Sequence, residues 1–219
     1  MNIMLGIISI IVIFSSLVLI EKLFKKEGLF VWISFATITA NIIVCKTINI
    51  FGFVSTLGNI MFASNYLATD IMSEKYGSKY SRKAIILGVF SQILFIIILQ
   101  LALAFIPDAT DVSHEAMKSL FTMNLRVSIA SVFMYLVSNM FDIYLYEKIK
   151  EKVPNKMWLR NNVSTIISNC LENFIFNFLA FYPIFDVKTI ISIGIIGSAI
   201  EIMVALCDTP FLYISKKLK

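Results

Sequence analysis

Apolar residues in this chain neither alternate with polar ones at the two-residue period of a strand nor keep to one face of a soluble helix. They come in runs close to twenty long, separated by short charged segments. A run of that length crosses the ~30 Å hydrocarbon core of a bilayer as a helix. Seven such spans can be read, at 3–21, 29–46, 52–69, 84–106, 122–146, 161–182 and 189–214. Residues 84–106 hold no charged side chain, whereas a helix on the surface of a soluble core needs a polar outer face. The pattern predicts an all-α fold, a polytopic transmembrane helical bundle of seven spans, or six if the first does not insert. Residues 1–28 are expected to form an N-terminal anchor span with the first cytoplasmic loop, and 29–219 a six-span core. The first run has no basic residue before it and no small-x-small cleavage pattern before Glu21, so it reads as an uncleaved anchor with its N-terminus outside.

Polar residues inside the spans are not scattered. In span five Asn124, Ser128, Ser131, Tyr135, Ser138, Asp142 and Tyr146 recur every three or four residues, which places them on one helical stripe. Span six repeats the device with Thr165, Asn169, Glu172, Asn173 and Asn177. Span two offers Ser34, Thr37 and Asn41 and ends at Lys46; span three offers Ser55, Asn59, Tyr66 and Asp70; span seven holds Glu201 and Asp208. Polar groups in hydrocarbon are costly enough that such stripes turn toward one another or toward water. The spacing therefore predicts a polar cavity walled by spans two, three, five, six and seven. Spans one and four, with only isolated Ser and Gln, are expected to face lipid.

Composition agrees: the 219 residues are 58% hydrophobic and 15% charged, with a mean hydropathy of +0.85. The formal net charge of +5 requires no nucleic acid, because basic residues of membrane proteins collect in cytoplasmic loops. Here 15 of the 19 Lys and Arg residues follow spans one, three, five and seven, leaving Lys46, Lys118, Arg126 and Lys188 for the other side. That alternation puts the C-terminus in the cytoplasm and both tryptophans, Trp32 and Trp158, at the cytoplasmic interface. Cys45, Cys170 and Cys207 sit alone in apolar segments and suggest neither a disulfide nor a metal site.

The densest chemistry lies at Ser64–Lys83, where Asp70 and Glu74 stand a helical turn apart before a tyrosine-glycine break and a basic cluster. Glu172 and Glu201 lie near the middle of their spans, where a lone charge costs at least ~2.5 kcal/mol. Both read as functional. Asp70, Glu74 and Asp142 lie nearer the inner ends, where pairing with a neighbouring Lys or Arg is a competing explanation. Arg160, in Trp-Leu-Arg-Asn-Asn, reads as an interfacial helix start. One histidine, His114, with no HExxH and no acid–histidine pair inside a span, gives a metalloprotease or nucleophilic hydrolase little support. An intramembrane enzyme built on Asp70 and Glu74 would leave the stripes on five spans unexplained, and none is expected.

Three segments, NYLATDIMSEKYGSKYSRKAI (65–85), SNMFDIYLYEKIK (138–150) and WLRNNVSTIISNCLENFIFNFLAF (158–181), together resemble the queuosine-precursor transporter family, also described as vitamin-uptake transporters. The Thr-Asp-x-x-x-Glu-x-Tyr-Gly pattern at 69–77 is the most specific part, and Asn41 with Lys46 and Thr209-Pro210 look like further family positions. The resemblance implies a carrier in the bacterial plasma membrane that admits a 7-deazaguanine base, such as preQ0 or preQ1, or queuine, for salvage into tRNA modification. It implies no enzymatic activity, no cofactor and no metal. A carboxylate can accept from the ring N–H and the exocyclic amine of a guanine-type edge together. Glu172 is the first choice for that role, followed by Asp70 and Glu74. Asn41, Asn169 or Lys46 could donate to the carbonyl, Tyr66, Tyr135 or Phe176 could stack on the ring, and Asp142 and Arg160 complete the binding set. Glu201 and Asp208 are candidates for energy coupling. Two positions depart from the family pattern, with Glu172 in place of aspartate and Glu201 in place of lysine. The second reverses a charge in the cavity and would suit a ligand bearing a cation, such as an aminomethyl group. The alternative reading is a substrate-binding membrane subunit of an ATP-driven vitamin uptake system. No Walker A pattern occurs, so ATP would have to be used by a separate energising module. Ala36-xxx-Ala40 is the sequence's one hint of a docking face, whether for that module or for a homodimer.

Overall fold

The computed structural model describes residues 2–44, 46–50, 53–121 and 125–218, with the backbone alone at 47, 49–50, 53–56 and 125–128. The expectations placed on Cys45, Ser55, Asn124, Arg126, Ser128 and Lys219 fall outside the described side chains. The element order is α1 (Asn2–Ile43), β1 (Thr47–Ile50), β2 (Phe53–Thr56), α2 (Gly58–Lys75), α3 (Ser78–Ala104), α4 (His114–Phe121), α5 (Leu125–Lys152), α6 (Met157–Phe181), α7 (Val187–Leu206) and α8 (Thr209–Lys217). Helices dominate, and five stretches are long and apolar enough to cross a membrane: Asn2–Ile43, Ser78–Ala104, Ile129–Lys152, Met157–Phe181 and Val187–Lys217.

The segment 22–28, read from sequence as a loop, is helical except at Lys25, whose backbone adopts φ 55° and ψ −137°. A Cβ placed on Gly28 would lie 2.5 Å from the Ile20 carbonyl oxygen. Residues eight apart in a straight helix are separated by about 12 Å along the axis, so the arms 2–24 and 26–43 fold back sharply on each other. Only glycine permits that approach. Replacing Gly28 by alanine is expected to lower stability by about 1–3 kcal/mol, read as a reduced unfolding temperature of the detergent-purified protein.

Residues 47–50, expected in the loop after span two, and 53–56, expected in the start of span three, instead form two antiparallel strands in which Thr47 pairs with Thr56 and Ile50 with Phe53. The β-branched and aromatic run on either side of Gly52 explains the preference. The third helix therefore begins at Gly58 rather than at 52 and runs six residues past the expected end at 69. It stops at Gly77, whose φ of 96° suits glycine and lets the chain turn into α3.

α2 is the helix around which the others pack. Its residues 63–73 are buried without exception, and it touches α1, α3, α5, α7 and α8. Leu29, Ile33, Ala36 and Ala40 of α1 form a continuous apolar core with Met61, Leu67, Ala68 and Ile71 of α2. Ala36 and Ala40 are thus consumed by internal packing and offer no docking face. Trp32 is buried against protein, and its indole Nε1 donates to Ser64 Oγ at 3.1 Å. Trp158 is exposed.

The expectation that span four faces only lipid holds for Ile86, Phe90, Ile97 and Leu101 of α3, but not for its opposite stripe. Ser81, Ala84, Gly88 and Gln92 are buried there, and Gln92 reaches Asn41 Oδ1 and Ser131 Oγ, each at 3.4 Å. In the exposed turn before α7, the Thr189 hydroxyl donates to Asp186 and holds that carboxyl below its usual range.

Candidate functional site

The predicted stripes face one another. Tyr135, Ser138, Asp142 and Tyr146 of α5 are each at most 1% exposed, and Thr165, Asn169 and Asn177 of α6 are buried opposite them. Glu172 lies between α6, α2 and α5. Its Oε2 accepts from Tyr66 Oη at 2.6 Å and from Ser138 Oγ at 2.7 Å, both donors being buried. The carboxylate thus points into the bundle, toward α2 and α5. At the next residue, Asn173 Nδ2 donates to Glu201 Oε2 at 2.6 Å, joining α6 to α7, and the charges of Glu201 and Glu172 interact. Neither acid pairs with a Lys or Arg among the described residues.

A second group lies deeper. Asp70 of α2, Asp142 of α5 and Asp208 between α7 and α8 are at most 1% exposed and lie within electrostatic reach of one another. The break that delivers Asp208 follows from Pro210. Proline lacks the N–H that would bond to the Leu206 carbonyl, so the helix tightens at Cys207 and Asp208, whose N–H groups bond three residues back, and restarts at Thr209. Asn161 Nδ2 donates to Asp208 Oδ1 at 2.6 Å, and Asn162 Nδ2 to Thr209 Oγ1 at 2.7 Å.

A third group closes one end. Glu74 accepts from Arg160 Nη2 at 2.6 Å and pairs with Lys150 at 2.9 Å and Lys216 at 2.7 Å. Tyr146 Oη adds a contact at 3.2 Å, and the Arg160 guanidinium stacks 5.4 Å from the Tyr146 ring centroid. Glu74 does pair with bases, then, but across four helices and not with Lys75, Lys79 or Arg82 beside it. Glu147 engages Ser78 and Arg82 next to this group, on a cleft of ≈ 380 Å³. The same end holds Glu21, fully buried, which accepts from Lys75 Nζ at 2.7 Å and Tyr76 Oη at 2.9 Å.

The remaining candidates divide. Tyr135 Oη accepts from Thr37 at 3.0 Å, and Asn41 donates to the Thr37 carbonyl at 2.8 Å, so both serve a network between α1, α5 and α3. Asn169 is buried with its Oδ1 unpartnered. Lys46 is exposed beside the hairpin. Sequence reasoning passed over Glu21, Gln92, Asn161 and Asn162. The two asparagines directly follow Arg160 in a segment read as a helix start, and their spacing from Asp208 along the chain carries no signal.

Comparison with known proteins was informative at the level of sequence. A family profile described as "Putative vitamin uptake transporter" matches residues 56–215. A "Probable queuosine precursor transporter" of Bacillus subtilis is 37% identical over 210 residues, covering 95% of this chain and 92% of the relative. A "Queuosine precursor transporter" of Escherichia coli is 26% identical over 144 residues, 66% of this chain and 63% of its own. No solved structure matches. With most of its length inside the family profile and a close relative aligned almost end to end, the chain belongs to the family described as "Putative vitamin uptake transporter".

Proposed function

We propose that this chain imports a queuosine precursor, a 7-deazaguanine base, and that Glu172 reads the base's donor edge. One observation carries the assignment: both hydroxyls that hold Glu172, those of Tyr66 and Ser138, fall on Oε2 and turn the carboxylate inward. Oε1 keeps two lone pairs for the ring N–H and the exocyclic amine. Asn169, one turn away, would donate its Nδ2 to the carbonyl. The transporter names of the relatives agree with this reading and include no enzyme.

The same reading has seven crossings with the C-terminus in the cytoplasm. The arms 2–24 and 26–43 cross separately, and α2, with 18 residues and about 27 Å of length, crosses inside the bundle. Hydropathy alone passes over α2 because protein rather than lipid surrounds it. The ends of the first arm, α2, α5 and α8 and the start of α6 meet through Glu21, Lys75, Glu74, Lys150, Lys216 and Arg160, as segments on one side of a membrane must.

The test is salvage. A strain unable to synthesise the precursor is expected to regain modified tRNA on feeding preQ1 only when this gene is present, with no added ATPase gene. Rescue without the gene, or only alongside an ATPase module, contradicts the proposal.

A further inference from the structure

The bundle contains more buried acid than substrate recognition requires, and the surplus is gathered in one place. Both oxygens of Asp70, Oδ2 of Asp142 and Oδ2 of Asp208 are buried with no hydrogen-bond partner. The amides around them do not repair this. Asn161 already spends its Nδ2 on Asp208 Oδ1, and its own Oδ1, fully buried, is also unpartnered; Asn139 and Asn162 likewise keep an orphaned Oδ1. The neighbourhood is a set of acceptors short of donors. A buried acceptor without a donor costs about 1–3 kcal/mol, more when charged, so this one is built around something that donates.

The cations close by are largely engaged elsewhere. Arg160 spends Nη1 on the Pro154 carbonyl and Nη2 on Glu74 and keeps only Nε buried without a partner, one donor against the orphaned acceptors, and Lys150 and Lys216 end on Glu74. From the packed helices the groups facing Asp70 are Asp142 and Tyr146 of α5, Arg160 of α6, Asp208 at the α7–α8 break and Glu74 one turn along α2. Tyr66, on Asp142's side, donates its hydroxyl to Glu172. Among the described residues no three ligating side chains come close enough to hold a metal ion. The break in α7–α8 that places Asp208 here is the kind of discontinuous helix at which carriers bind coupling ions.

We propose that Asp70, Asp142 and Asp208 form a proton-binding site, separate from Glu172, through which a proton gradient drives uptake. The inference rests on the transporter reading. A hydronium ion from the outer side gives up its proton to a carboxylate oxygen, an O–H bond forms, and that hydroxyl donates to a neighbouring carboxylate or amide oxygen. When the carrier opens inward the O–H bond breaks, and water on the cytoplasmic side takes the proton. The charge change thus occurs at Asp70, Asp142 and Asp208 while Glu172 stays with the base.

Two measurements on the full-length purified protein test this. The first needs no substrate. Infrared spectroscopy is expected to show a protonated-carboxyl C=O band that is diminished or shifted in Asp70→Asn, Asp142→Asn or Asp208→Asn; an identical band in all three variants overturns the site. The second uses liposomes containing a pH-sensitive dye. Wild-type protein is expected to acidify the lumen as preQ1 enters and to accumulate it under an inward proton gradient. All three Asn variants are expected to lose accumulation and acidification down to the level of protein-free liposomes, and Asp208→Asn, which lies outside the residues assigned to the base, is expected to retain exchange of labelled for unlabelled preQ1. That exchange shows that this variant folds and binds. Accumulation driven by sodium without a pH gradient, or variants that accumulate as well as wild type, overturns the proposal. Wild-type protein that exchanges no deazapurine contradicts the proposed function instead, and the infrared result then decides the proton site independently.

Discussion

Glu172→Gln is expected to abolish concentrative uptake of preQ1 while the protein is made and inserted normally. The amide keeps one oxygen to accept from Tyr66 and Ser138, which donate at 2.6 and 2.7 Å, so the local packing survives. What changes is the face offered to the ligand. Oε1, an acceptor with two lone pairs, is replaced by an NH₂ group that opposes the donor edge of the base. Hydrogen bonds to a charged group are worth about 1.5–3 kcal/mol each, so losing two of them predicts affinity weaker by roughly two orders of magnitude or more. Glu172→Asp should retain part of the activity, since it keeps the charge and shortens the reach by about one methylene. Isothermal binding of preQ1 to detergent-purified variants, alongside uptake in cells, makes the measurement. Unchanged affinity in Glu172→Gln would remove this residue from the site.

The second large effect is on stability. Glu21 is fully buried at the end of the first arm of α1, where Oε1 accepts from Lys75 and Tyr76 and Oε2 accepts from Ser215 Oγ at 3.2 Å. Lys75 in turn donates to the Ser215 and Leu218 carbonyls, each at 3.0 Å, and so ties α1, α2 and the end of α8 together. Removing one partner of a buried pair leaves the other charged and unpaired, at about 3–5 kcal/mol. Glu21→Ala is expected to lose stability on this scale, toward the lower end because Lys75 keeps 18% of its side chain exposed. Glu21→Gln with Lys75→Met should recover most of the loss, because no charge is stranded. Unfolding midpoints in detergent check both. A double variant no better than Glu21→Ala would show that the hydrogen bonds, rather than the stranded charge, dominate.

Much of the architecture was legible in the chain. The twenty-residue apolar runs required membrane helices, and the three-to-four spacing of Tyr135, Ser138, Asp142 and Tyr146 required an inward stripe; the structure buries all four. The Tyr-Gly break at 76–77 was readable too, because a positive φ is a property of a single residue. Span seven, in contrast, was read as unbroken over 189–214, and the break at Thr209-Pro210 emerged only from the structure. The β-hairpin was hidden by its composition. Ile48, Ile50, Phe53 and Val54 raise hydropathy as much as a span would, and hydropathy does not separate a strand from a helix.

Sequence alone determined that the polar stripes of spans five and six are turned inward, because burial of polar groups in hydrocarbon is a local cost and the helical repeat converts it into a face. Which partner each inward group meets was decided only by the tertiary structure. Glu74 passes over the adjacent Lys75 for Arg160, Lys150 and Lys216, and Lys75 reaches back 54 residues to Glu21. The reason is geometric: neighbours in sequence point to different sides of a helix, and the partners of each side are set by how the helices pack.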